Sequence, residues 1–142
     1  MLCGIIDHLT KESGGNVCDN EKIKVTSSSV IGISFGPKYA FEFNNFNKSV
    51  NNFFFILVMM IWIHSSKYDF VNRKVNPTGY SIRTRGRCDE YHPRNWVIEG
   101  SNNDYDWTIL DEKKKECLTG LGTTYYFDIE MKNKSYKFLR IR

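Results

Sequence analysis

Between Tyr80 and Asp111 the chain leaves room for little besides a sheet. Tyr80-Ser81-Ile82-Arg83 alternates in polarity. Trp96-Val97-Ile98-Glu99 and Trp107-Thr108-Ile109-Leu110 each carry a tryptophan, and a Gly100-Ser101-Asn102-Asn103-Asp104 loop separates them. Alternation puts successive side chains on opposite faces of a strand. Aromatic and β-branched residues suit a pleated, half-buried surface, and two such runs joined by a short polar loop read as a hairpin. The expected core from this block is Tyr80, Ile82, Trp96, Ile98, Trp107 and Leu110.

The same texture runs along the chain. Ile23 and Val25, Val30 to Ile33, Tyr39 to Phe43 and Tyr68 to Val71 read as strand material, with Gly36-Pro37 and Asn72-Arg73-Lys74 as turns. Val75 to Arg85 reads as the next strand. Tyr125 to Met131 and Tyr136 to Ile141 read as a second hairpin around Lys132-Asn133-Lys134-Ser135. Ile5 to Lys11 reads as a short amphipathic turn, ended by Ser13-Gly14-Gly15-Asn16. Strands at intervals of about ten residues without long helical periods predict an all-β, antiparallel sandwich or jelly roll. With 142 residues and neither repeat nor linker, residues 1–142 are expected to form one domain.

Composition narrows the function classes. An aromatic share of 15% supports the β reading. The net charge of +4 is spread along the chain rather than gathered on one element, so nucleic acid is not an expected partner. Cys3, Cys18, Cys88 and Cys117 are widely spaced, and Met1-Leu2-Cys3-Gly4 leads into charged residues rather than an apolar signal core. The expectation is therefore an intracellular, cytoplasmic protein with reduced thiols. Cys88 and His92, even joined by Cys18 and Cys117, match no zinc spacing, so neither a metal nor another cofactor is expected. A Cys/His nucleophilic pair would need an orienting group and an oxyanion donor, and none is identifiable. Gly120-Leu121-Gly122 lacks the strand-to-helix context of a phosphate cradle and reads as a β-turn. The chain is read as a non-enzyme.

The run Phe53 to Ile63 stands out. At eleven residues it is shorter than the ~20 that cross a bilayer as a helix. Three readings remain open for it: one or two strands buried on both faces, a segment that inserts at a membrane surface, or a stretch translated from a shifted reading frame.

The motifs quoted above resemble one family, the discoidin or coagulation-factor C-type domain, in its intracellular form that accompanies BTB domains. The resemblance is carried by Tyr80-x-Ile82, by His92-Pro93-Arg94-Asn95-Trp96-Val97-Ile98-Glu99-Gly100-Ser101-Asn102 and by Trp107-x-x-Leu110-Asp111. Gly36 to Phe43, Lys67 to Phe70 and Tyr136 to Arg142 support it. The resemblance implies a galactose-binding-like β-sandwich with a further strand after Arg142. It implies a binding module that contacts a protein, glycan or anionic ligand through the loops at one end of its barrel. Phe53 to Ile63 replaces that family's polar loop, and Ser65 stands where it has a tryptophan. An alternative is a peripheral membrane protein using residues 53–63, with membrane contact as its partner; another is a truncated, non-functional relative. The candidate binding residues are Arg83, Arg85, Arg87, Tyr91, His92 and Arg94, because guanidinium groups suit carboxylate, sulfate and phosphate and the resemblance places this loop at the binding end.

Overall fold

A computed structural model of the chain describes residues 5–28, 56–58, 65–83, 93–114, 118–120, 123–130 and 133–142, with the backbone alone at 5–7, 56–58 and 83. The first element, α1 (Ile5–Ser13), is longer than the turn read from the sequence. Its stop is chemical: Gly14 takes a left-handed φ of 71°, and the Gly15 amide donates back to the Thr10 carbonyl at 3.2 Å. That pairing closes a Schellman cap, which glycine allows at no steric cost. Leu9 is buried, and Arg73 from a later turn donates to Glu12 at 2.5 Å, tying the helix to the sandwich.

Among the described residues eight strands follow: β1 (Lys24–Ser27), β2 (Ile56–Val58), β3 (Ser66–Asp69), β4 (Gly79–Arg83), β5 (Trp96–Ser101), β6 (Thr108–Lys113), β7 (Thr124–Asp128) and β8 (Phe138–Ile141). They make a five-stranded sheet in the order β1-β3-β8-β5-β6 and a three-stranded sheet in the order β2-β4-β7. All pairs are antiparallel except β2 with β4. The fold is an antiparallel β-sandwich, as the strand spacing implies.

Its centre is aromatic. Tyr80 of β4 stacks on Phe127 of β7 with centroids 5.1 Å apart, and Trp96 of β5 meets the same Phe127 edge-on at 5.3 Å. The two sheets are also joined by polar groups. The Trp96 indole N–H donates to the Tyr80 hydroxyl at 2.8 Å, and that hydroxyl donates to Asp111 Oδ2 on β6 at 2.5 Å. Lys113 Nζ reaches the other oxygen of Asp111 at 2.9 Å. Within this chain of groups the Trp96 indole, the Tyr80 hydroxyl and the Asp111 carboxylate each find a partner, which removes the penalty of burying them alone.

Three readings are corrected. Residues 125–141 do not form a hairpin: β7 pairs with β4 in the small sheet, while β8 sits between β3 and β5 in the large one. Between them Ile129 and Tyr136 dive into the core, and Tyr136 bridges Val75. A polar stretch between two alternating runs looks the same whether the chain turns back on itself or crosses between sheets. The run Val75 to Arg85 is likewise divided, with an isolated bridge at Val75 and the strand proper beginning at Gly79. Trp107 is not in the core. It lies half-buried on the outer face of the large sheet, under the Arg140 guanidinium at 3.9 Å from the ring centroid. The other expected core residues, Tyr80, Ile82, Trp96, Ile98 and Leu110, are all buried.

Of Phe53 to Ile63, residues Ile56–Val58 form β2, parallel to β4. The rest of that run lies outside the described residues, as do the strand readings at Val30 to Ile33 and Tyr39 to Phe43. Among the described residues no helix is long and apolar enough to cross a membrane.

Candidate functional site

The strand registers decide which residues meet at each end of the sandwich. β4 runs out at Arg83, opposite Thr124 at the start of β7, and β2 ends at Val58 beside it. β5 enters at Trp96, opposite Lys113 at the end of β6. β8 finishes here too, since Val97 and Arg142 exchange both backbone hydrogen bonds, at 2.9 and 3.1 Å. One end therefore gathers Arg83, Pro93 to Asn95, Lys113, Lys114, Thr124 and Arg142. The β4–β5 connection leaves from this end and returns to it.

The predicted site residues divide accordingly. Arg83 is at the end of β4, where the backbone alone is described, and Arg94 is exposed just before β5. Arg85, Arg87, Tyr91 and His92 lie outside the described residues. Trp96, two residues after Arg94, is locked by its contacts to Tyr80 and Phe127, so the returning strand is firmly seated.

The sequence reading missed two further basic residues at this end, Lys114 and Arg142. Arg142 donates through Nε to Glu99 Oε2 at 3.0 Å and through one Nη to Oε1 at 3.4 Å, yet its side chain stays 54% exposed. Lys114, 72% exposed, reaches Glu112 at 3.2 Å. Their signal was present in Arg140-Ile141-Arg142, where alternation turns both arginines away from buried Ile141.

Glu99 holds the outer face of the large sheet. It is buried, pairs across the strands with Arg140 in register, and accepts the Arg140 Nε–H at 2.6 Å. Burial by itself would raise its carboxyl pKa. The hydrogen bonds from Arg140 and Arg142, together with their charges, outweigh that and hold it below the usual carboxylate range.

The opposite end is closed by the β5–β6 hairpin. Ser101 Oγ accepts the amides of Asn103 and Asp104, and Asn103 Oδ1 accepts those of Tyr105 and Asp106. Lys67 clamps Asp104 at 2.5 Å, although Asp104 has a left-handed φ of 66°. Tyr105 rides on this scaffold 87% exposed.

Among the described residues no three His, Cys, Asp or Glu side chains gather to hold a metal. Cys18 has no disulfide partner among them, and burial followed by the charge of Asp19 pushes its thiol up to about 11, away from thiolate reactivity.

Neither the family models nor the curated protein sequences match this chain. Solved structures do. CpGH89CBM32-6, produced by Clostridium perfringens, is 18% identical, with a TM-score of 0.54 over 89% of this chain and 86% of that one. CpGH89CBM32-5 from Clostridium perfringens, in complex with GalNAc-β-1,3-galactose, is 9% identical, with a TM-score of 0.57 over 85% and 83%. The chain has their fold. Identities this low establish the β-sandwich architecture and leave the ligand to be argued from residues.

Proposed function

We propose that the protein is a non-catalytic, carbohydrate-binding module of this fold. Its ligand is taken at the strand-exit end, with Arg83, Arg85, Arg87, Tyr91, His92 and Arg94 as the binding residues that the sequence nominates. The observation that carries this reading is the likeness in fold to CpGH89CBM32-5, a carbohydrate-binding module whose structure contains a disaccharide. Two physical points support it. Binding residues favour loops held by a rigid scaffold, and the Trp96–Tyr80–Asp111–Lys113 chain of hydrogen bonds anchors the strand into which this loop returns. Arginine, tyrosine and histidine also supply the donors and flat surfaces that a sugar ring needs.

A glycan array probed with the folded protein tests this. Retention on a defined set of glycans is expected. It should be lost in the Arg85→Ala/Arg87→Ala variant and kept in Tyr105→Ala, whose substitution lies at the other end. The reading fails if the folded protein retains no glycan, or if Tyr105→Ala abolishes binding while the double variant keeps it.

A further inference from the structure

We infer that the sugar taken at the strand-exit end is acidic, carrying a carboxylate or a sulfate. This rests on the proposed function and goes further by naming the class of glycan. The argument is an inventory of which charges at this end are already spent.

Two of the carboxylates near this end are already engaged by partners within the protein. Asp111 faces the interior, where it accepts from the Tyr80 hydroxyl and from Lys113. Glu99 is buried and holds both Arg140 and Arg142. Among the described residues only Glu112 presents an exposed carboxylate at this end, with Lys114 at 3.2 Å and Arg142 nearby.

The cations are placed the other way. Arg94 is exposed and has no ionic or hydrogen-bonding partner among the described residues. Arg142 places two nitrogens on Glu99, leaving its second Nη without a partner among the described residues on a half-exposed side chain. The exposed Lys114–Glu112 pair is weakly held and free to exchange partners. By sequence the β4–β5 connection carries Arg85 and Arg87 alongside Asp89 and Glu90, so these four residues add no net charge.

A guanidinium can donate to a neutral hydroxyl. It is matched far better by a planar carboxylate or a sulfate, whose oxygens accept two parallel N–H groups. Exposed cationic groups at this end, Arg94 foremost, also raise the local concentration of an anion and speed its arrival.

Isothermal titration with three saccharides decides the matter: neutral GalNAc-β-1,3-galactose, its sulfated form, and a disaccharide ending in galacturonate. The acidic sugars are expected to bind about tenfold more tightly than the neutral one at low ionic strength. High salt should erase most of that advantage, and so should Arg94→Ala, an exposed substitution expected to leave the melting temperature unchanged. Preference for one acidic sugar over the other tells carboxylate from sulfate recognition. Equal binding of the neutral sugar, or an acidic preference untouched by salt and by Arg94→Ala, overturns this inference while the carbohydrate-binding reading stands. If no saccharide binds here and none is retained on the array, the proposed function falls and takes this inference with it.

Discussion

Trp96 and Trp107 stand at the two strands of one hairpin, in similar sequence surroundings, and are held by different physics. Trp96 lies between the sheets, 2% exposed, packed on Phe127 and donating to Tyr80. Trp107 lies on the outer face of the same sheet, capped by the Arg140 guanidinium. The inner face is held chiefly by apolar burial around one short polar chain, Trp96–Tyr80–Asp111–Lys113, so it depends only weakly on salt and pH. The outer face is held by Glu99, Arg140 and Arg142 with aromatic rings beneath, so it responds to both. A bulge in the hairpin separates the two regimes. Ile98 pairs with Asp111 and Glu99 with Ile109, which leaves Leu110 as the extra residue. Before the bulge Ile109 points outward, half exposed; after it Asp111 and Lys113 turn inward, toward Tyr80 and Phe127.

The comparison can be broken at three points. The largest effect is expected at Trp96. Trp96→Ala removes an aromatic side chain from the space between the sheets and leaves the Tyr80 hydroxyl short of a donor, a loss of about 3–5 kcal/mol. Urea unfolding should show it equally at low and high salt. A strong salt dependence would mean that the inward Asp111–Lys113 pair, rather than apolar packing, dominates the support of the inner face.

Next comes Glu99. Glu99→Ala leaves Arg140 and Arg142 facing each other without a counter-charge. Both remain partly solvated, so the expected loss is about 2 kcal/mol, below that of a fully buried pair. Because the folded state depresses the Glu99 pKa, its contribution is present above the unfolded carboxylate pKa of about 4.3 and is lost as pH falls through the lower, folded value. The stability gap between parent and variant should therefore be full at neutral pH and close in acid. A gap that is constant down to strongly acidic pH would show that packing, rather than charge, holds Glu99 in place.

The smallest effect is expected at Trp107. Trp107→Ala removes half-buried surface and one cation–π contact, about 1 kcal/mol in all. A loss approaching that of Trp96→Ala, measured side by side, would erase the distinction between the faces.

Much of this architecture was legible in the sequence. Alternation in Tyr80 to Arg83 and in Trp96 to Ile98 located β4 and β5, and it named Tyr80, Ile82, Trp96 and Ile98 as residues that share an inward face. Alternation states only which residues lie together; it does not say which face meets the core. Trp107 was misread for that reason, since the bulge at Leu110 shifts the phase of β6. The crossing between β7 and β8 was invisible because strand partners distant in sequence leave no local trace. The same holds for Arg142, which became part of the candidate site through its backbone pairing with Val97. In the proposed binding loop, Arg83 and Arg94 were placed at the sandwich end through the strands that flank them. The roles of Arg85, Arg87, Tyr91 and His92 remain those the residues themselves suggest.

The position of β8 has a consequence for how the molecule is made. It is third of five in the large sheet, yet the most C-terminal of the eight strands. During translation β3 and β5 leave the ribosome with facing edges that stay empty until residues 138–141 emerge. At roughly 5–20 residues per second, that wait lasts seconds. Nascent chains would spend it with open, aromatic-rich sheet edges, a state that invites pairing with neighbouring chains. Slowing elongation after β5 should therefore lower the soluble yield, and a holding chaperone should restore it. The central strand acts as a latch made after both of its neighbours, so the yield of folded protein depends on the timing of synthesis as well as on the final stability.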